Sequence, residues 1–392
     1  MMTAYRHVGK VSMLAAVATA LLVCTGAVGA AGQAAVGDKV LALWLWGSTV
    51  RSQGADKVAQ DLAKHGVTDV FLLVRGTAGK ADYQSSLAPP AEEGKEALGD
   101  LLKACRPLGI KVHAWFVFNQ DKAYTDEHPE DRLWHHGNAS TEFKPYEITD
   151  GRVCPASEAH LEYTKAMIKE VLEGYDVDGI HLDYIRYGHM VYCFCERHMK
   201  KAAELGIDVD RVRQVLFDTN YASPAQPDLY FEKFIEGDPD VAAWVNMRRE
   251  EVQTAAAAFR EAAESVKPGV AFSAALMPEG ALEETYAFAM CHYSQSYEDA
   301  GKLYDFVCPM AYHLDYDKAP DWVGQVTAGT IEAVGSGVPV YAGIQAYGDK
   351  ADYDQVKQAV EAALEGGAKG IALFRYGTMT EEFWSAVEAA MK

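Results

Sequence analysis

The sequence predicts an α/β protein folded as a single (β/α)8 TIM barrel, with long insertions after its third and fourth strands. Three observations carry that expectation. Eight short runs rich in β-branched and aromatic residues alternate with helical patterns, the signature of βαβ units in a parallel sheet. A chain of 392 residues, 49% hydrophobic and 23% charged, is long enough to close such a sheet in one domain. No G-x-G-x-x-G follows the first run, so an open, dinucleotide-binding sheet finds no support.

The N-terminus reads as an export signal rather than as fold. Arg6, His7 and Lys10 precede an apolar run from Val11 to Val28, and the small residues of "VGA" at Val28–Ala30 suit a signal peptidase. Residues 1 to about 30 are therefore assigned to a secretory signal, and the mature domain to residues 31–392, its barrel starting near residue 38. The run is dominated by Ala and Thr, marginal for spanning about 30 Å of hydrocarbon, so no stable membrane insertion is expected after cleavage. Val precedes Cys24 where a lipoprotein signal needs a small residue, which argues against lipidation.

The strand candidates, in order, are "VLALWLWG" from Val40, "VTDVFLLVRG" from Val67, "KVHAWFVF" from Lys111, "DGIHLDYIRY" from Asp178, "VAFSAALM" from Val270, "DFVCPMAY" from Asp305, "VPVYAGIQAYG" from Val338 and "KGIALFRYG" from Lys369. Between them lie helical patterns such as 56–65, 158–173, 242–266 and 352–365. "HGVTDV", "LGIKVH", "YDVDGI" and "GGAKGI" share one design, a Gly or turn that ends a helix just before a strand begins. Two connections, 119–157 and 188–240, are too long for simple loops. Both follow strand C-termini, so they are expected over the barrel face where active sites form.

The fourth run poses the main chemical question, because "VDGIHLDYIRYG" sets Asp178, His181, Asp183 and Arg186 in an otherwise core-like rhythm. Asp178 at the start of the strand would lie at the barrel bottom in water. Asp183 and Arg186 would lie at the mouth, with His181 and Asp183 on one face by the two-residue alternation. An inward carboxylate at that height is costly unless it is paired or employed. The other strand ends bring Trp44, Trp46, Arg75, Trp115, Asn119, Tyr312, His313, Gln345 and Arg375 to the same rim. Aromatic faces stack on sugar rings, and Arg, Asn and Gln bond hydroxyls, so these nine residues with Arg186 are the expected substrate-binding set of a glycan cleft.

Charge and cysteine content exclude several classes. Removal of the signal leaves a formal charge of −22, which disfavours nucleic acid and anionic membrane as partners and leaves a neutral or cationic ligand. The oligomeric state is not legible. The motif "YCFCERH" offers Cys193, Cys195 and His198 as metal ligands, but it stands alone and its spacing matches none of the common zinc patterns. Buried thiols or one disulfide are therefore expected, with no metal and no cofactor.

"VDGIHLDYIRY" closely resembles the fourth-strand motif of the glycoside-hydrolase-like "family 10 glycosylhydrolase" proteins, barrel enzymes that include bacterial hydrolases of denuded peptidoglycan strands. The likeness continues in order through "VFLLVRGTAGKADYQSSLAP", "GIKVHAWF", "VYCFCERH", "WVNMRREEV", "KPGVAFSAA" and "DFVCPMAYH". Two departures touch the rim: Gly188 replaces the usual Pro after the RY, and "MPEG" introduces Glu279 after the fifth strand. The resemblance implies a secreted glycosidase working with two carboxyl groups. It points to Asp183 as nucleophile, kept ionised by Arg186 or Arg75. Asp315 or Glu279 would be the proton donor, with Asp315 preferred. A non-catalytic glycan-binding barrel is the alternative. A metal-dependent hydrolase ranks last, because His113, His181, His292 and His313 are scattered and no H-x-H or H-E-x-x-H occurs.

Overall fold

The computed structural model describes residues 39–217 and 226–392; the expected export signal lies outside them. Eight barrel strands run Val40–Trp46 (β1), Asp69–Arg75 (β2), Lys111–Val117 (β3), Gly179–Asp183 (β4), Ala271–Leu276 (β5), Phe306–Pro309 (β6), Tyr341–Gln345 (β7) and Gly370–Phe374 (β8). Every neighbouring pair is parallel, in the order β6-β5-β4-β3-β2-β1-β8-β7. The last seam, between β6 and β7, closes through a single bridge, Val307 opposite Val340. The fold is thus a (β/α)8 barrel of the expected kind.

Burial on both faces explains why these runs are nearly continuous in apolar residues rather than alternating with polar ones. Leu41, Leu43 and Leu45 of β1 join the large cluster under the helices, while Ala42 and Trp44 point inward to meet Phe71, Trp115, Ala275, Phe306, Cys308 and Ala372 in the lumen. Gly179 opens β4 because a Cβ there would collide with the ring of His113. The expected helices fall at Ala55–Lys64, Glu158–Gly174, Pro239–Val266 and Tyr353–Glu365. The third begins earlier than its apolar pattern, since Asp238 caps it by accepting a hydrogen bond from the Val241 N–H and Pro239 fits its first turn. No described helix is long and apolar enough to cross a membrane.

The chain between β3 and β4 carries a short helix, Lys122–Glu127, and a two-residue antiparallel pair, Trp134–His135 with Tyr146–Glu147. Its root is anchored in the core. Asp121 caps the short helix through the Tyr124 N–H and forms a fully buried ion pair with Arg75, which also donates to the carbonyl of Val117 at 2.9 Å. Between β4 and β5 come the helices Glu196–Glu204, Val209–Phe217 and Pro227–Ile235 before the long Pro239–Val266. Buried Arg248 of that long helix donates to the carbonyls of Cys291, His189 and His292 and lies 4.1 Å over the ring of Tyr187. One guanidinium thereby satisfies the loop carbonyl of His189 and two carbonyls at the C-terminal end of the helix Tyr286–Tyr293.

Candidate active site

The polar residues of the fourth strand separate by height. Asp178 precedes β4 and accepts a hydrogen bond from the Val112 N–H at 2.8 Å, at the barrel bottom. His181 points into the lumen, where it accepts from the Trp44 indole at 3.1 Å and donates through Nδ1 to Ser273 Oγ at 2.9 Å, its ring stacked on Phe71. Burial holds it neutral by driving its pKa well down. Asp183 ends the strand, 5% exposed. The next residue, Tyr184, turns into the left-handed region at φ 54°, and its N–H donates back to Asp183 Oδ1 at 2.7 Å. A non-glycine residue there costs about 1–2 kcal/mol, a strain typical of functional turns.

Burial pushes the Asp183 carboxyl above the usual aspartate range, opposed by the positive charge of Arg186, the Tyr184 N–H and the Trp115 indole. Arg186 does not win, so the expectation that an arginine holds Asp183 below its ordinary pKa is corrected. Arg75 takes no part, being fully buried against Asp121 and His160, which removes it from the substrate-binding set as well. Desolvation at that depth brings its own pKa down to about 10.

Glu279 follows β5 on the turn Pro278–Ala281 and is 8% exposed. Its Oε1 accepts hydrogen bonds from Tyr316 at 3.0 Å and Tyr293 at 3.3 Å, while Oε2 has no partner among the described residues. Burial raises its pKa, offset in part by the two tyrosines and by Arg186. Asp183 and Glu279 are thus two desolvated carboxyls under the charge of the same guanidinium. Arg186 itself lies over the rings of Tyr184 (4.7 Å) and Tyr293 (5.2 Å). Asp315 has different surroundings. It is exposed, and both its oxygens are taken, by Gln345 Nε2 at 2.9 Å and by the hydroxyl of Tyr347.

The remaining rim residues divide into two groups. Trp46 is 37% exposed with the Arg375 guanidinium 3.5 Å above its ring, an aromatic platform open to solvent at the ends of β1 and β8. Tyr312 packs on Phe374 and Tyr347, its hydroxyl unbonded among the described residues, and the charge of Asp183 is felt at that hydroxyl. The second group is structural. Trp44 and Trp115 fill the lumen at 1% and 4% exposure. Asn119 donates to the Arg186 carbonyl at 2.6 Å, and Gln345 accepts from the Leu314 N–H at 3.0 Å, so both hold loops. His313 faces away, bonded to Gln355 at 3.0 Å. The sequence places it at the rim by extending the sixth strand through Tyr312. That strand ends at Pro309, and the tight turn beyond it ends the alternation.

Sequence reasoning missed Tyr293 and Tyr316, the two donors to Glu279. Tyr316 adjoins Asp315 in "HLDYD", a usable signal, whereas Tyr293 ends the helix Tyr286–Tyr293 with nothing local to mark it. It also missed Cys154, which the fold brings to Cys193, Cys195 and His198, their ligand atoms all within 4.8 Å of one another and all four residues buried. The six described cysteines are free and buried, which matches the buried-thiol alternative of the expectation rather than the disulfide.

Comparison with known proteins gives a consistent fold. A family model described as "Hypothetical glycosyl hydrolase 6" matches residues 54–184, which run from the helix after β1 to just past Asp183. An S-layer-related protein of Niallia circulans is 24% identical over 367 residues, covering 79% of this chain; the chain spans only 22% of that relative's length. Among solved structures, the PgaB (BpsB) glycoside hydrolase domain of Bordetella bronchiseptica superposes with TM-score 0.67 at 13% identity, covering 90% of this chain and 99% of that one. The catalytic domain of a β-amylase from Paenibacillus polymyxa gives 0.60 at 12% identity, over 91% and 100%. These likenesses support a glycoside-hydrolase-like barrel; the narrower likeness to the family 10 proteins rests on the sequence motifs alone.

Proposed function

We propose that this protein is an exported glycoside hydrolase acting on a polysaccharide or peptidoglycan-type glycan, with Glu279 as proton donor and Asp183 as nucleophile. The mature chain would be one barrel domain, residues 31–392. The observation that carries the reading is the pair of buried carboxyls, both pushed up by desolvation and both facing the charge of Arg186. A donor must hold its proton near neutral pH, and burial shifts the Glu279 carboxyl in that direction. Its Oε1 is fixed by two tyrosine hydroxyls, which leaves Oε2 to carry the proton. Exposed Asp315, bonded through both oxygens, is the weaker candidate, so the preference drawn from sequence is reversed.

In the reaction, the Glu279 O–H donates its proton to the glycosidic oxygen as the C–O bond breaks, and the Asp183 carboxylate attacks the anomeric carbon. Water then cleaves the glycosyl ester, giving its proton back to Glu279. Arg186 favours the ionised form of Asp183 against the cost of burial. A sugar ring stacked on Trp46, with its hydroxyls near Arg375 and Tyr312, would hold the chain across the mouth.

The test is a screen of purified protein against denuded peptidoglycan, chitin-type glycans and neutral plant or algal glycans, scored by new reducing ends and product mass. Hydrolysis of at least one is expected. Binding without products would instead identify a glycan-binding barrel.

A further inference from the structure

We infer that Cys154, Cys193, Cys195 and His198 form a structural zinc site that staples the two long connections above the barrel. Cys154 belongs to the connection after β3 and the other three to the connection after β4, so the local motif announces only three of the four ligands. The observed spacings suit a tetrahedral ion. With Zn–S near 2.3 Å and Zn–N near 2.0 Å, two sulfurs lie about 3.8 Å apart and a sulfur and a nitrogen about 3.5 Å. Here Cys154 Sγ and Cys195 Sγ are 3.7 Å apart, and His198 Nδ1 lies 3.2 Å from Cys195 Sγ and 3.7 Å from Cys154 Sγ. The two sulfurs are much too far apart for a disulfide bond, about 2.05 Å.

The surroundings are also those of a metal site. His198 presents Nδ1 to the thiols, while Nε2 meets Glu251 Oε2 at 3.0 Å and the Tyr187 hydroxyl at 2.7 Å. A carboxylate behind the distal nitrogen is the usual outer partner of a zinc-bound histidine, fixing its tautomer and orientation. Glu251 is held in turn by Lys201 at 3.1 Å. The Trp134 N–H points at Cys193 Sγ, 3.2 Å away, as backbone donors do toward thiolates. Cys195 directly precedes the helix Glu196–Glu204, whose N-terminal dipole favours a thiolate there. Four protein ligands leave no open position for water, so the role is structural. The site lies outside the proposed glycosidase machinery and stands or falls independently of it.

The protein, purified without chelator, is analysed by elemental mass spectrometry and, after exchange into cobalt(II) under reducing conditions, by visible absorption. About one zinc per chain is expected, with the intense d–d bands of tetrahedral, thiolate-bound cobalt after exchange. Cys154→Ser and His198→Asn should each lower the retained zinc at least tenfold. Should either variant not fold, the cobalt spectrum of the unmodified chain still decides. Zinc-free protein that develops no such bands with cobalt would overturn the inference, as would an intact mass showing two of these cysteines joined as a disulfide.

Discussion

Glu279→Gln separates the two candidate acids most sharply. Glutamine keeps an oxygen at Oε1 to accept from Tyr316 and Tyr293, so the turn Pro278–Ala281 should hold its shape while the transferable proton is lost. General-acid catalysis is worth about 10²–10⁴ in rate, or about 2.7–5.4 kcal/mol at the transition state. The loss should depend on the leaving group. On the glycan cleaved by the wild type it should be complete within that range, but a dinitrophenyl glycoside of the same sugar, whose leaving group departs without protonation, should lose much less. The matched assay uses both substrates for wild type, Glu279→Gln and Asp315→Asn. An equal loss on both substrates, or a larger loss in Asp315→Asn than in Glu279→Gln, would refute the assignment.

Three further expectations follow from the same geometry. In the proposed roles Asp183 acts ionised and Glu279 protonated, and burial raises both, so the limbs of the pH–rate profile should sit above those of free carboxyls, with apparent values belonging to the pair; a pH–kcat/KM series checks this, and Glu279→Gln should erase the alkaline limb. A carboxyl raised in the folded state binds its proton more tightly there than in the unfolded chain, so its contribution to stability falls as pH rises from the ordinary aspartate range through the raised value; Asp183→Asn should therefore melt no lower than wild type at neutral pH, and a marked fall would mean a structural anchor instead. Asp121→Asn strips buried Arg75 of its counter-ion and should cost about 3–5 kcal/mol, or roughly 4–7 °C in melting temperature for a domain of about 350 residues.

The barrel was legible because each strand is buried on both faces and so writes itself as an apolar run, with helix-ending glycines marking the joints. Asp183 was legible for the converse reason, as a carboxylate at the end of such a run. What failed was direction. Arg75 sits at a strand end as expected, yet Asp121, supplied by the connection after β3, draws its side chain into the core. His313 lies past a strand that stops early, and Trp44 and Trp115 obey the alternation but fill the lumen below the mouth. The donors to Glu279 and the fourth member of the Cys/His cluster come from separate elements, and only the fold brings them together.

The central claim is that Asp183 and Glu279 cleave a glycosidic bond, and the most direct measurement is new reducing ends released from denuded peptidoglycan, chitin-type and neutral plant or algal glycans by wild type and Asp183→Asn side by side. The account predicts products from at least one glycan with wild type and a collapse of turnover, with glycan binding retained, in the folded variant. A folded Asp183→Asn protein that hydrolyses the same glycan at near wild-type rate would contradict it.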